Sequence, residues 1–217
     1  MTAKRVTSDW AAVFPGFTRW RPMRLLRRVG PVVQGICLDG STSGKEYIPT
    51  AHVHALTRDF PVVSLTLGQR LKGTSGRPEC VRFSHHESEY RLMADRLTEQ
   101  SVLSLVEPPT LEEIVGNYHS VALERQSQGI PPAVVEVEDS VLLSAAAARV
   151  DLVESGLRLA EALVALWPKD RLPLDWPGAS VWLDSLSARA EDVESLSAVV
   201  EGQLAKHKLS KVTAIPG

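Results

Sequence analysis

The sequence predicts an α+β fold, and three observations carry the prediction. The first third alternates with a two-residue period in short β-branched runs separated by turn clusters. From Ser84 onward the apolar period becomes helical. The early runs are joined too tightly for a parallel crossover, so the sheet they build is antiparallel. About four strands then pack against about four helices. The 217 residues are expected to form a single domain, sheet-forming over about 10–83 and helical over about 84–210.

Each element has its own signal. MRLLRRV (23–29) and VVQGICL (32–38) flank Gly30-Pro31 and read as a hairpin. Residues 39–44 are a turn cluster, from which KEYIPTAHVHAL returns as a third strand. VVSLTL (62–67) after Pro61 reads as a fourth, and CVRF (80–83) as a further short strand. Tyr90, Met93 and Leu97 open the helical pattern, which Pro108-Pro109 ends. Thr110-Leu111-Glu112-Glu113 matches a capping box, and the helix behind it carries Leu111, Ile114, Val115 and Tyr118 on one face. Gly129-Ile130-Pro131-Pro132 breaks that helix, and AVVEVE (133–138) reads as extended. Residues 140–167 read as one long, central helix capped by Asp139 or Ser140 and closed by Pro168. Trp176 is expected to pin the linker that follows, and a last helix spans about 185–208 with a narrow apolar stripe.

Composition narrows the class. Hydrophobic residues make up 44% and charged residues 23%, the balance of a soluble globular chain that can bury a core without disulfides. There is no apolar run of membrane-spanning length and no signal-peptide pattern, and Cys37 and Cys80 lack metal-ligand spacing. These features imply a reduced, cytoplasmic protein, and plentiful Ala, Val, Leu and Arg with few Lys fits a bacterial, GC-rich source. The net charge of −2 conceals an asymmetry: residues 1–75 hold eleven Lys/Arg against four Asp/Glu, and residues 76–217 thirteen against twenty-two.

Two stretches carry candidate chemistry. His52 and His54 fall two apart on the third strand, about 7 Å from each other and on one face. That face is the polar one, opposite Tyr47, Ala51 and Val53, so the pair is either solvated or a chelate. Asp59, His85, His86 and Glu87 are the side chains that could complete a metal site. The pair resembles the first motif of the cupins, in which two such histidines are followed by a glutamate and a glycine. Here Asp59 and Gly68 follow instead, the glycine lies further on and the second motif is missing, so no family is assigned. The likeness to the HxH motif of amidohydrolases is weaker, because that barrel alternates strands and helices along a longer chain.

The other stretch is FPGFTRWRPMRLLRR (14–28), where Arg19, Trp20, Arg21, Arg24, Arg27 and Arg28 combine cations with stacking planes. Single-stranded nucleic acid uses that combination, but the chain lacks the high pI of a dedicated nucleic-acid binder. GSTSGKE (40–46) has the wrong glycine spacing and the wrong following element for a phosphate loop, and no GxSxG elbow occurs. The expectation is therefore a non-enzymatic protein, an inhibitor or immunity-type partner of an acidic protein surface, with no resident cofactor. The alternatives are a metal-dependent enzyme built on His52 and His54, and nucleic-acid binding through residues 14–28.

Overall fold

A computed structural model describes residues 1–215, which separate into two compact units. The first unit holds Met1–His54, Val62–Pro109 and the segment from Lys206; the second holds Ala55–Pro61 and residues 110–205. The architecture is α+β, with a larger sheet than the four strands expected.

The first unit is built on a sheet in the order β1-β2-β3-β4-β5: β1 (Thr18–Arg21), β2 (Arg24–Val29), β3 (Val32–Gly40), β4 (Glu46–Ala55) and β5 (Thr66–Arg70). β6 (Val81–Arg82) pairs antiparallel with β4, and β7 (Ala214–Ile215) pairs parallel with β2. The expected hairpin forms between β2 and β3, closed by Val29 opposite Val32. Gly30 takes the positive φ of 54° that a two-residue hairpin loop demands. β5 begins four residues later than VVSLTL predicts. Val62 is exposed and the run 62–65 stays outside the sheet, because pairing with β4 aligns Thr66 with Val53 and Gln69 with Ala51.

Two helices complete this unit. α1 (Ala3–Val13) was not anticipated by the strand-dominated reading. Thr2 caps it through the Arg5 amide, and Val6 and Trp10 recur at i,i+4 to bury one face. α2 (His86–Gln100) buries Met93, Ala94 and Leu97. Both pack into one core with Leu25, Ile36, Leu38, Tyr47 and Ala51 of the sheet. α2 thus belongs with the strands, and the division between the units falls after Pro109.

The second unit contains α3 (Leu111–Ser127), α4 (Val134–Ala146), α5 (Val150–Val164), α6 (Ala179–Glu191) and α7 (Val193–Lys206), which runs to its boundary. The capping box opens α3 as predicted, with Thr110 Oγ1 accepting from the Glu113 amide and Glu113 reaching back to the Thr110 amide. AVVEVE is the first part of α4 and not extended; its two-residue alternation is a coincidence within a helix. Asp139 and Ser140 are therefore buried mid-helix residues and not caps. Trp176 packs with Trp167 and Trp182, their ring centroids 5.2–5.7 Å apart.

The predicted single helix over 140–167 is two helices. Ala148 has φ 56°, its amide donates to the Ala145 carbonyl, and the Arg149 amide donates to that of Ser144. This is the Schellman ending that glycine normally makes. α3 ends the same way with Gly129 in the left-handed position, which is why that break is visible in the sequence and the one at Ala148 is not. An alanine held left-handed is strained, so Ala148→Gly is expected to stabilise the protein by about 1 kcal/mol, read as a rise in urea midpoint. The last helix is also interrupted: Asp192 accepts from the Ser195 amide and hydroxyl, ending the α6 stretch and starting α7.

Candidate functional site

The Arg-rich segment forms one edge of the sheet. On β1, Arg19 and Arg21 are exposed, and the Arg21 guanidinium stacks 4.0 Å from the Trp20 ring. Half-buried Trp20 donates from Nε1 to the His207 carbonyl at 3.0 Å. That bond ties β1 to the C-terminal segment, as does the Thr213 amide donating to Thr18 Oγ1 at 2.9 Å, while the Arg28 amide of β2 donates to the Thr213 carbonyl at 2.8 Å. Exposed Lys208 and Lys211 are thereby carried to the same edge as Arg21. Sequence reasoning missed these lysines; they lie nearly two hundred residues from β1, and no local pattern links them.

The six candidate binding residues do not act alike. Arg24 pairs with Asp39 at 3.0 Å and is half-buried, and Arg28 is half-buried. Arg27 must be withdrawn from the surface set because it is 1% exposed. Its guanidinium donates to Gln34 Oε1 at 2.8 Å and to the carbonyls of Ser104, Val106 and Glu107, and it lies over the Phe17 ring. Burial lowers its pKa to about 10 against the pull of Glu107. It pins the 104–107 turn to the sheet.

His52 and His54 share one face, as alternation requires, but that face is not solvated: they are 2% and 0% exposed. The Ser64 amide donates to His54 Nδ1 at 3.2 Å, and Ser64 Oγ lies 2.9 Å from it. Nδ1 is therefore the acceptor, which places the proton of the neutral ring on Nε2. The ring meets His207 edge-on, with centroids 5.7 Å apart. His52 has no hydrogen-bond partner for either ring nitrogen. Burial, and after it the charge of Arg24, lowers its pKa to about 4, so it is neutral at pH 7. Near it, the Cys37 thiol donates to Asp39 Oδ1 at 2.7 Å and is pushed far up, first by burial.

The other proposed ligands scatter. Exposed His85 faces Glu89 of its own helix. Asp59 belongs to the helical unit, where it accepts from Gln203 Nε2 at 2.8 Å. His86 is wholly buried in a chain of its own: Nε2 lies 3.2 Å from Asp9 Oδ2, Nδ1 2.7 Å from Tyr47 Oη, and Tyr47 Oη accepts from Trp10 Nε1 at 3.1 Å. With Nε2 donating to the carboxylate and Tyr47 donating to Nδ1, every group in the chain is satisfied, and it ties α1, α2 and β4 together. Among the described residues, no group of three or more His, Cys, Asp or Glu converges as metal ligands.

The helical unit has one buried ionic network. Arg58 Nε donates to Asp139 Oδ1 at 2.7 Å, and Glu138 accepts from Trp182 Nε1 at 2.8 Å while lying 3.5 Å from Arg189. Burial raises the Asp139 carboxyl to about 6 although Arg58 sits beside it. Arg58 and Arg189 edge a cleft of about 500 Å³ that also carries Asp59 and Asp192, so its charges are mixed.

Charge follows the units closely. The sheet-bearing unit holds seventeen Lys/Arg against nine Asp/Glu, and the helical unit seven against seventeen. Fold and charge together define an α+β protein with a basic sheet unit that gathers exposed cations along its β1 edge. No protein-family model matches the chain, and neither characterised proteins nor solved structures give a significant match. Among the described residues, no helix is long and apolar enough to cross a membrane.

Proposed function

We propose that the chain is a non-enzymatic binding protein, bacterial and cytoplasmic, of the inhibitor or immunity type, which meets an acidic surface of another protein. The observation that carries this reading is the union of β1 with the C-terminal segment, which brings Arg21, Lys208 and Lys211 to the edge that carries Trp20, while Arg19 donates to Ser8 Oγ at 3.0 Å. Among the described residues, no carboxylate forms an ion pair with Arg21, Lys208 or Lys211, so these three are available to an external partner. The excess positive charge of the unit steers an acidic partner toward that edge. A rigid half-buried indole beneath an arginine is the sort of anchor that protein interfaces use.

A photo-crosslinking side chain at exposed Ser210, between the two lysines, tests the reading in the native cell. A discrete protein adduct is expected, and it should disappear in the triple variant R21E/K208E/K211E, whose positions are all exposed and leave the core untouched. An adduct to nucleic acid would move the site to the nucleic-acid reading, with affinity falling steeply as salt rises. Protein adducts unchanged by the triple reversal would refute the role of this edge.

A further inference from the structure

At the opposite edge of the sheet β5 ends the strand order, and among the described residues no strand pairs with its outer side. Just past it, Gln100 and Arg96 of α2 already bond the Lys72 amide and carbonyl. Between the Gln69–Ala51 and Thr66–Val53 pairs, two residues of β5 oppose one of β4, a bulge in which Leu67 holds φ 51°. Beside this bulge lies a cleft of about 670 Å³, bordered by Leu65 and Arg70 with Lys72 beyond the strand, and by Leu97 and Gln100 of α2. Arg70 and Lys72 are its only charged lining residues, both exposed; the neighbouring Glu79 is engaged by Arg96 at 2.7 Å. Thr50, also bordering the cleft, is 2% exposed and its hydroxyl has no hydrogen-bond partner.

We infer that this cleft takes an extended acidic segment of a partner protein, which adds a strand to β5. An open sheet edge supplies main-chain donors and acceptors at the strand spacing, and adjacent pockets select alternate side chains. Five residues of β5 span at most about 17 Å, and the bulge at Leu67–Gly68 interrupts the regular spacing between Thr66 and Gln69. Two cations with no lining carboxylate select acidic side chains, and exposed Leu65 selects an apolar one at an intervening position. The matching ligand alternates acidic and β-branched residues. The inference takes its class of partner from the binding-protein reading but places the contact on a separate surface.

The test uses the full chain and a fluorescein-labelled Glu-Val-Glu-Val-Glu peptide, followed by anisotropy. Saturable binding is expected, weakened about tenfold or more in R70E/K72E and lost when alternate peptide nitrogens are methylated. Equal binding of the methylated peptide would leave only charge attraction and overturn strand addition. An oligothymidylate that binds the wild type but not R70E/K72E, with no peptide binding, would reassign the cleft to nucleic acid. A concentration-dependent dimer, abolished by the same variant in sedimentation, would give the edge to a second copy of this chain. The Ser210 crosslink reads the β1 edge alone, so either surface can fail while the other stands.

Discussion

Gly35→Ala is expected to lower stability by about 3 kcal/mol or more. A Cβ at Gly35 would lie 2.2 Å from His52 Nε2, 2.5 Å from His52 Cε1 and 2.7 Å from Leu26 Cδ2. Neither neighbour has anywhere to go: His52 is 2% exposed and Leu26 is completely buried. The methyl must push the imidazole, the leucine or the β3 backbone out of place, and packed interiors do not give way cheaply. Urea unfolding measures the loss as a lower midpoint at unchanged slope. Gly35→Ala combined with His52→Ala should recover part of it, because the second substitution removes the atoms in collision; the two changes will not add. A Gly35→Ala protein within about 0.5 kcal/mol of wild type would show that His52 does not occupy the space over Gly35.

That contact marks how far the sequence could be read. Alternation put His52 and His54 on one face correctly, since a strand has only two faces and each residue must take one. The same rule made that face the wet one, and it failed because both faces of β4 are buried, which is a property of the fold and not of the strand. The capping box at Thr110 was legible because its two hydrogen bonds join residues three apart. The break at Ala148 was not, since its signal is a backbone angle that alanine seldom adopts. Among five arginines in one short segment, sequence could not single out Arg27. Its fate depends on three carbonyls from residues 104–107, some eighty positions away. The lysines that join the β1 edge were hidden for the same reason, and so was the open edge of β5, because strand order is a long-range fact.

Acid should destabilise the protein, and His52 should account for a large part of the effect. In the unfolded chain its imidazole titrates at the ordinary 6.5, and in the folded one near 4. Above about pH 6.5 the ring is neutral in both states and the fold carries its full stability from this residue. Between 6.5 and 4 the unfolded chain binds a proton that the folded chain refuses, so stability falls with falling pH. The loss is complete below 4 and amounts to about 3 kcal/mol. Burial lowers His86 and His119 as well, and they act in the same direction. Asp139 opposes them: its folded carboxyl titrates near 6 rather than 3.8, so the native state holds a proton there that the unfolded chain releases, and acidification through that window adds stability. The wild-type profile is thus a sum of opposed contributions, and a difference isolates His52. His52→Leu keeps the volume close and removes two ring nitrogens that have no partners, so at pH 7 it should cost little or even stabilise. At pH 4 it should exceed wild type by about 3 kcal/mol more than at pH 7, in urea unfolding at each pH. Parallel profiles for the two proteins would mean that the His52 imidazole gains its proton as readily folded as unfolded, and the dry site described for it would be wrong.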